Sequence, residues 1–293
     1  MIQMTTKAVS PKEISELRAR TGAGMMDCKA ALEEAGGDMD RAVDILRKKG
    51  QAKAEKRAGR SASQGLVVIA AGAEGADVTM LELNCETDFV ARTDEFVALA
   101  RDLAMLARQE APVGNHGGSV LDGLAFRGLT VAEVVKQVSG KTGEAMAVKR
   151  VARFQQNAGT VQSYLHHNGQ VAVLIDVAGP EGDALVALAR DLALHAASAD
   201  PVGVSEADIP ADQVERERRI AEEQVAAEGK PENIRAKIVE GKIRKFIAER
   251  TLMSQPFVKD ESRKISDLVA QAAKDLGGPV TVRRFARFKV GEA

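Results

Sequence analysis

The sequence predicts an α+β protein, and three observations lead to that prediction. Residues 10–50 contain three short helical patterns separated by glycine-containing loops, which predicts a small three-helix domain. The octapeptide VALARDLA at Val97–Ala104 recurs unchanged at Val186–Ala193, which indicates a duplicated core. Residues 211–252 contain an acidic helical pattern followed by a basic one, which predicts an antiparallel helical hairpin inserted into that core.

The duplication sets the expected domain boundaries. Each copy of the octapeptide follows two apolar strand patterns, Leu66–Ala70 and Val78–Leu83 in the first copy and Tyr164–His166 and Val171–Val177 in the second. The repeated unit is therefore expected to be a β-hairpin followed by a helix. The predicted domains are residues 1–50 (three-helix domain), 51–64 (basic linker), 65–155 (core subdomain N), 156–210 with 253–293 (core subdomain C) and 211–252 (helical hairpin).

Individual elements carry more local signals. Ser10, Pro11 and Glu13 form the pattern of a capping box at the first helix, and Asp27 and Asp38 are expected to cap the second and third. Residues 108–128, which are rich in glycine and polar groups, are expected to loop out. Residues 131–138 and 144–154 are expected to form two helices or a helix and a strand. The alternation of Val, Phe and Arg over residues 280–289 predicts a strand at a sheet edge.

Composition excludes several classes of protein. With 41 basic and 42 acidic residues the chain has no overall attraction to nucleic acid or membrane. Its two cysteines, Cys28 and Cys85, are far apart and form no CxxC pair, which argues against a disulfide framework or a structural zinc site and favours a reducing cytoplasm. We expect no signal peptide and no membrane span, because no run approaches about 20 apolar residues.

The sequence also lacks the motifs of common enzymes. It has no GxxxxGK[ST] phosphate-binding loop and no recognisable serine, histidine and aspartate arrangement. The four histidines, His116, His166, His167 and His195, lack metal-ligand spacing, and His166 and His167 on a strand would point to opposite faces. We therefore expect no catalytic residues, no cofactor and no bound metal, and a protein that is not an enzyme.

The first candidate site is the turn Thr87-Asp88-Phe89-Val90, between a strand and a helix. The chain has no tryptophan, one tyrosine and eight phenylalanines, so an aromatic ring at a turn beside an acid is a candidate partner contact. The equivalent connection of the second copy is much shorter. Alternatively, Phe89 would be an ordinary core residue and the longer turn would reflect drift after duplication.

The second candidate site is the pair Met25-Met26 in a glycine-rich loop. Two adjacent methionines do not both face one small core easily, and methionine is common at adaptable binding surfaces. Alternatively, one methionine would be buried and the other would have no role. On the hairpin, apolar positions left outside a single two-helix seam would pair with another chain, or the hairpin would be a protrusion without a partner.

Two segments resemble the signatures of the elongation factor Ts family, in the order expected for it. These are LRARTGAGMMDCKAAL at Leu17–Leu32 and ELNCETDFVAR at Glu82–Arg92; Gly143–Arg150 and Gln255–Val258 also resemble family segments, less specifically. The resemblance covers nearly the whole chain. It implies that the three-helix domain is ubiquitin-associated-like, and that the protein binds elongation factor Tu. Some family members continue into a further helix that also contacts elongation factor Tu; because the sequence stops at Ala293, we expect no contribution to binding from that element.

The resemblance also implies a mechanism and a set of site residues. The factor would bind elongation factor Tu in its GDP-bound and nucleotide-free states and promote GDP release, with Thr87, Asp88, Phe89 and Val90 disturbing the magnesium site of the partner. The implied partner-binding residues are Leu17, Arg18, Gly24, Met25, Met26 and His166. A homodimer or a 2:2 complex through the core or the hairpin stays open.

The rival class is a scaffold or RNA-binding protein that uses the basic linker and the basic arm of the hairpin. The segment around the linker carries Lys48, Lys49, Lys53, Lys56, Arg57 and Arg60, which could contact phosphates. No aromatic residues lie among them for base stacking, which favours a solvated linker and no stable binding of nucleic acid.

Overall fold

A computed structural model describes residues 9–57, 59–72, 76–228 and 231–292, without the side chains of residues 51, 53, 55 and 56. The start of the predicted 1–50 domain therefore lies outside the described residues, as do the side chains of Lys53 and Lys56. Gly229 also lies outside them; a glycine followed two residues later by Pro231 predicts that the first hairpin arm ends there. The first three helices are α1 (Pro11–Thr21), α2 (Met25–Glu34) and α3 (Met39–Arg57). Their core contains Leu17, Cys28, Leu32 and Leu46, and the three-helix prediction is confirmed.

Helix ends in this unit follow the capping signals, with one exception. Ser10 and Glu13 form the predicted capping box, and Asp38 accepts hydrogen bonds from the amides that begin α3. Asp27, however, is not a cap: α2 begins at Met25 with Gly24 as its N-cap, and Asp27 lies in the first turn. An acid in that position still interacts favourably with the positive end of the helix dipole, which explains its presence.

The predicted linker is partly helical. Helix α3 continues to Arg57, so the first seven residues of the segment 51–64 belong to it. The segment consists mainly of alanine, lysine, glutamate and arginine at this point, all strong helix formers. Ala54 is buried against the core, which gives the extra turns a packing partner.

Core subdomain N contains a four-stranded antiparallel sheet. Its elements are β1 (Gln64–Ala71), β2 (Asp77–Cys85), α4 (Asp88–Ala91), α5 (Asp94–Glu110), β3 (Gly114–Gly117), β4 (Ala125–Phe126), β5 (Leu129–Thr130), α6 (Val131–Thr142) and β6 (Met146–Gln155). The strand order is β1-β2-β6-β3, and β4 pairs with β5 as a separate small hairpin. Residues 131–138 and 144–154 are thus a helix and a strand, one of the two expected alternatives.

The prediction that residues 108–128 loop out is wrong. Helix α5 extends to Glu110, β3 pairs with β6, and a short 3₁₀ helix at Gly118–Leu121 packs on the same strand. A Cβ at Gly118 would lie 1.9 Å from the carbonyl oxygen of Val148. Glycine therefore serves close packing against β6 here, rather than loop flexibility.

Core subdomain C repeats this plan. Its elements are β7 (Thr160–Leu165), β8 (Val171–Ala178), α7 (Asp183–Ala199), then after the helical hairpin β9 (Pro256–Phe257), β10 (Asp260–Lys264), α10 (Ile265–Asp275) and β11 (Thr281–Lys289). The three-stranded sheet has the order β11-β8-β7, so the final strand lies at a sheet edge as predicted. The short hairpin and the helix that follows it occur in both copies, so the duplication covers nearly the whole core.

The two sheets pack face to face, and their outer faces are covered by helices. Leu81 and Leu83 of β2 belong to the cluster under α5, whereas Met80 on the other face contacts the second sheet. In β8, Ile175 faces α7 and Leu174 faces the first sheet. Because both faces of these strands are buried, β8 is almost continuously apolar and residues 78–85 of β2 are all buried, including the polar Thr79, Glu82 and Asn84.

A second internal repeat explains how the sheets are held together. The pentapeptide RVARF at Arg150–Phe154 corresponds to RFARF at Arg284–Phe288. The first arginine of each pairs with a buried acid on the neighbouring strand, Glu82 at 2.7 Å and Asp176 at 3.3 Å. Each of these arginines also lies over the ring that ends the other copy's motif, 4.5 and 4.2 Å from the ring centroid. The pairs therefore link the two copies reciprocally.

The second arginine of each repeat caps a helix. Arg153 donates to the carbonyl of Ala111 at the end of α5, at 2.7 Å, and Arg287 donates to the carbonyl of Ala197 near the end of α7, at 3.4 Å. A cation at a helix C-terminus neutralises the negative end of the dipole and satisfies carbonyls that lack helical partners.

The helical hairpin consists of α8 (Ala211–Ala227) and α9 (Glu232–Arg250). Its seam is formed by Ala221, Val225, Val239 and Ile243, and Arg218 pairs with Glu240 between the arms at 2.5 Å. The antiparallel pairing is confirmed. Val214, Ile238 and Ile247 pack against the edges of this seam, whereas Ile220 and Ile234 are exposed.

The three-helix unit packs on subdomain N through α3 and α6. The two helices approach closely at glycines, since a Cβ at Gly140 would lie 2.7 Å from the carbonyl oxygen of Gly50. Among the described residues, none of the helices is both long and apolar enough to cross a membrane.

Candidate functional site

The turn after β2 is a single helical turn between two N-caps. Thr87 caps α4 by accepting a hydrogen bond from the amide of Val90 at 3.4 Å, and Thr93 caps α5 by accepting from the amide of Phe96 at 3.3 Å. Threonine is a favoured residue at both positions because its hydroxyl satisfies an amide that has no helical partner.

Within this turn the side chains point in different directions. Phe89 is 81% exposed, whereas Ala91 is buried and Val90 packs partly against the core. Asp88 forms an ion pair with Arg92 at 2.9 Å, on the exposed side of the same turn. Phe89 is thus not a core residue: a rigid turn holds a phenyl ring in solvent beside a carboxylate.

Cys85 closes the base of the turn. Its thiol is buried and donates a hydrogen bond to the carbonyl of Thr87 at 3.1 Å. Burial, and after it the charge of Glu144, raises the pKa of Cys85 to about 12. The thiol therefore stays protonated and is a structural contact rather than a nucleophile.

The second copy of the core lacks such a turn. Between β8 and α7 lie four residues, 179–182, whereas eight residues, 86–93, separate β2 from α5. The difference equals the four residues of α4. The one-turn helix with Phe89 is therefore an addition to a scaffold that also folds without it.

The predicted residues of the three-helix unit fall into two groups. Met25 and Met26 begin α2 and are 54% and 76% exposed, and Arg18 and Gly24 are exposed as well. Leu17 is fully buried in the domain core. Its role is to support the surface that the other four present.

A cleft separates this surface from subdomain N. It has a volume of about 360 Å³ and extends from Gly24 and Asp27 on α2 to Glu95 at the start of α5, with Val134 and Val138 of α6 at its base. Lys141 and Glu95 form an ion pair at 2.8 Å on its rim.

His166 was expected in a strand but lies just beyond the end of one. Strand β7 ends at Leu165, because Asn168-Gly169 forms the turn to β8 with a left-handed glycine, φ 69°. His166 and His167 therefore do not point to opposite faces: their ring centroids are 4.2 Å apart, and His166 shares a hydrogen bond with the hydroxyl of Tyr164 at 3.0 Å. In the described parts of the chain, no three His, Cys, Asp or Glu side chains are grouped so that they could hold a metal ion.

The predicted contact residues thus lie on four separate elements: α1, which carries Leu17 and Arg18, the start of α2, the turn containing α4, and the turn between β7 and β8. One residue at the site was missed from the sequence. Glu144 accepts two hydrogen bonds from Thr87 across a separation of 57 residues. The only signal for Glu144 in the sequence was that it lies in Gly143–Arg150, a segment that resembles the family less specifically.

Comparison with known proteins identifies the family. The family described as Elongation factor TS matches residues 86–292. A protein of Aquifex aeolicus called Elongation factor Ts is 42% identical, over 97% of this chain and 98% of its own length. Proteins of the same name from Prosthecochloris aestuarii and Clostridium perfringens are 38% and 41% identical, over 97% of this chain and 99% and 93% of their own lengths. The chain therefore belongs to the elongation factor Ts family and has the role of a translation elongation factor.

Proposed function

We propose that this chain binds elongation factor Tu in its GDP-bound form and promotes GDP release by disturbing the partner's magnesium site, so that GTP rebinds. The observation that carries this proposal is the exposure of Phe89. It is the most exposed large apolar side chain in the described part of the chain, and it lies on a turn with defined geometry.

The exposed ring supplies a driving force for intrusion into a partner. Burying a phenylalanine side chain contributes about 1.5–3 kcal/mol relative to leaving it in water. The ring of Phe89 would enter between packed helices of the partner, with Asp88 next to it. Mg²⁺ requires nearly ideal octahedral geometry, so a small displacement of its ligands weakens its binding and, with it, the binding of the GDP phosphates.

Thermodynamic linkage completes the cycle. A factor that weakens GDP binding to its partner must itself be bound less tightly, by the same factor, when GDP is present. GTP rebinding then displaces it by the same reciprocity. The protein therefore binds the nucleotide-free partner most tightly and acts without making or breaking a covalent bond, in the cytoplasm where translation occurs.

The remaining contacts would supply affinity. Arg18, Gly24, Met25 and Met26 form an exposed surface on the three-helix unit, and methionine side chains adapt readily to a partner. His166 would contact a different domain of the partner from the turn between β7 and β8. Residues 1–50 and subdomain C would thus bind elongation factor Tu, and the turn of subdomain N that contains Phe89 would act on its nucleotide site.

The test is release of a fluorescent GDP from magnesium-loaded elongation factor Tu, with the wild-type chain, Phe89→Ala and the control Met105→Ala. Met105 is an exposed apolar residue on α5, outside the turn. We expect acceleration by the wild type and the control and a clear loss with Phe89→Ala. Equal acceleration by all three proteins would show that GDP release does not depend on the ring of Phe89. No acceleration by any of them would contradict the exchange function and favour the scaffold or RNA-binding class.

A further inference from the structure

The strands that flank the turn continue their pairing beyond the last backbone hydrogen bonds. The antiparallel ladder between β2 and β6 ends with Cys85 opposite Met146. Extending that register places Glu86 opposite Ala145 and Thr87 opposite Glu144. At these two positions side-chain carboxylates replace backbone carbonyls as hydrogen-bond acceptors.

The hydrogen bonds run in both directions between the two segments. The amide of Ala145 donates to Glu86 Oε1 at 2.7 Å, and the amide of Thr87 donates to Glu144 Oε2 at 3.0 Å. The hydroxyl of Thr87 donates to Glu144 Oε1 at 2.6 Å. We call these three hydrogen bonds the carboxylate clamp.

We propose that Glu144 is a positioning residue for the exchange activity, which holds Thr87 so that α4 presents Phe89 in one orientation. This inference rests on the proposed function. A threonine hydroxyl has one hydrogen, and Glu144 accepts it. The hydroxyl lone pairs are then free to accept the amide of Val90, which is the cap that starts α4. Without Glu144 the hydroxyl rotates freely and the cap weakens.

Glu144 is itself held in place. It follows Gly143, which ends α6 in the left-handed conformation at φ 81°, a backbone angle that favours glycine. The carbonyl of Glu144 accepts a hydrogen bond at 2.5 Å from the hydroxyl of Ser139, a buried residue of α6. A positioning residue supported in this way transmits the orientation of a rigid helix to the turn.

The second copy of the core shows that the clamp is not required by the scaffold. There the ladder ends with Ala178 opposite Thr281. The positions that correspond to the clamp are Gly179 with Val280 and Pro180 with Pro279, which have no carboxylate, and proline has no amide to donate. Only the copy with an exposed phenylalanine has the clamp.

The experiment measures exchange on magnesium-loaded elongation factor Tu as a function of factor concentration, for the full chain and for Glu144→Ala. We expect the rate at saturating factor to fall between about 10- and 100-fold, the range that misplacement of a key group produces. The half-saturating concentration should change much less, because the binding surfaces on α2 and on the turn between β7 and β8 are untouched. Glu144→Gln, which keeps one acceptor oxygen for the amide of Thr87, should recover part of the rate.

Two controls separate positioning from general destabilisation. Glu133→Ala removes an acid from the capping box at the start of α6, the helix that precedes Glu144, and this end of the helix lies away from the turn. The variant should therefore keep the wild-type maximal rate. In a double-mutant cycle, Glu144→Ala should add little to the loss caused by Phe89→Ala, since both act through the ring.

A wild-type rate for Glu144→Ala, or losses that multiply in the double variant, would overturn the positioning role. If the wild-type chain itself fails to accelerate release, the proposed function fails instead, so the two failures are distinguishable.

Discussion

Two phenylalanines seven positions apart allow the assignment of Phe89 as a surface contact to be tested by stability alone. Phe96 is fully buried beneath the first sheet, whereas Phe89 is 81% exposed. Phe96→Ala removes a complete core side chain and should lower the free energy of unfolding by about 3–5 kcal/mol. Phe89→Ala removes a ring that is already solvated, and should change the free energy of unfolding by no more than about 0.5 kcal/mol.

The assay is urea unfolding followed by far-ultraviolet circular dichroism. With an m-value of about 2 kcal/mol/M, the loss expected for Phe96→Ala lowers the midpoint by about 2 M urea, while the midpoint of Phe89→Ala stays within about 0.3 M of the wild type. A fall of more than about 1 M for Phe89→Ala would show that the ring contributes to the core. That result would refute its assignment as a partner contact.

Three further predictions concern other parts of the molecule. Met26→Ala should weaken binding to elongation factor Tu in calorimetry without changing stability, whereas Leu17→Ala should lower the free energy of unfolding of the three-helix unit by about 2–5 kcal/mol. Arg150→Met leaves the buried carboxylate of Glu82 without its ion-pair partner and should lower the free energy of unfolding, measured with urea, by about 3–5 kcal/mol. Lys149→Met, at the exposed neighbouring position, should leave the free energy of unfolding almost unchanged. Burial lowers the pKa of His195 below its ordinary value of 6.5, so the unfolded chain binds more protons than the folded one as the pH falls below that value. The free energy of unfolding should therefore decrease as the pH falls below about 6.5, by up to about 1.4 kcal/mol per pH unit, and His195→Gln should flatten this slope.

Hydrophobic periodicity was sufficient to locate most of the long elements, although α10 was not predicted. The three helices of the first unit, the two arms of the hairpin and the strands β1, β2, β8 and β11 all have a period that matches their structure. The short pairs β4–β5 and β9–β10 were missed because the two-residue strands β4, β5 and β9 have no period and the five residues of β10 are all polar and exposed. The RxARF repeat was visible in the sequence and would have predicted the link between the copies, since an arginine that is drawn into the packed interface of two sheets requires a buried acceptor.

The candidate site was predictable in its location and not in its geometry. The contrast between the two copies identified the turn at Thr87–Val90, but an apolar residue in a turn can face either the core or the solvent. The direction of Phe89 depends on the one-turn helix, whose cap depends on Glu144, 57 residues away in the sequence. His166 was predicted to be the last residue of a strand, but β7 ends one residue earlier, at Leu165. The turn signal of Asn168-Gly169 had not been taken into account.

The most direct test of the central claim compares the factor's effect on GDP release with and without magnesium. Elongation factor Tu loaded with fluorescent GDP is mixed with saturating wild-type chain, once in millimolar magnesium and once after chelation with EDTA. If the turn at Phe89 acts by disturbing the magnesium site, chelation alone should accelerate release, and the additional acceleration by the factor should be much smaller than in magnesium. An equal acceleration under both conditions would contradict the account, since the factor would then be acting on the nucleotide by a route independent of the metal.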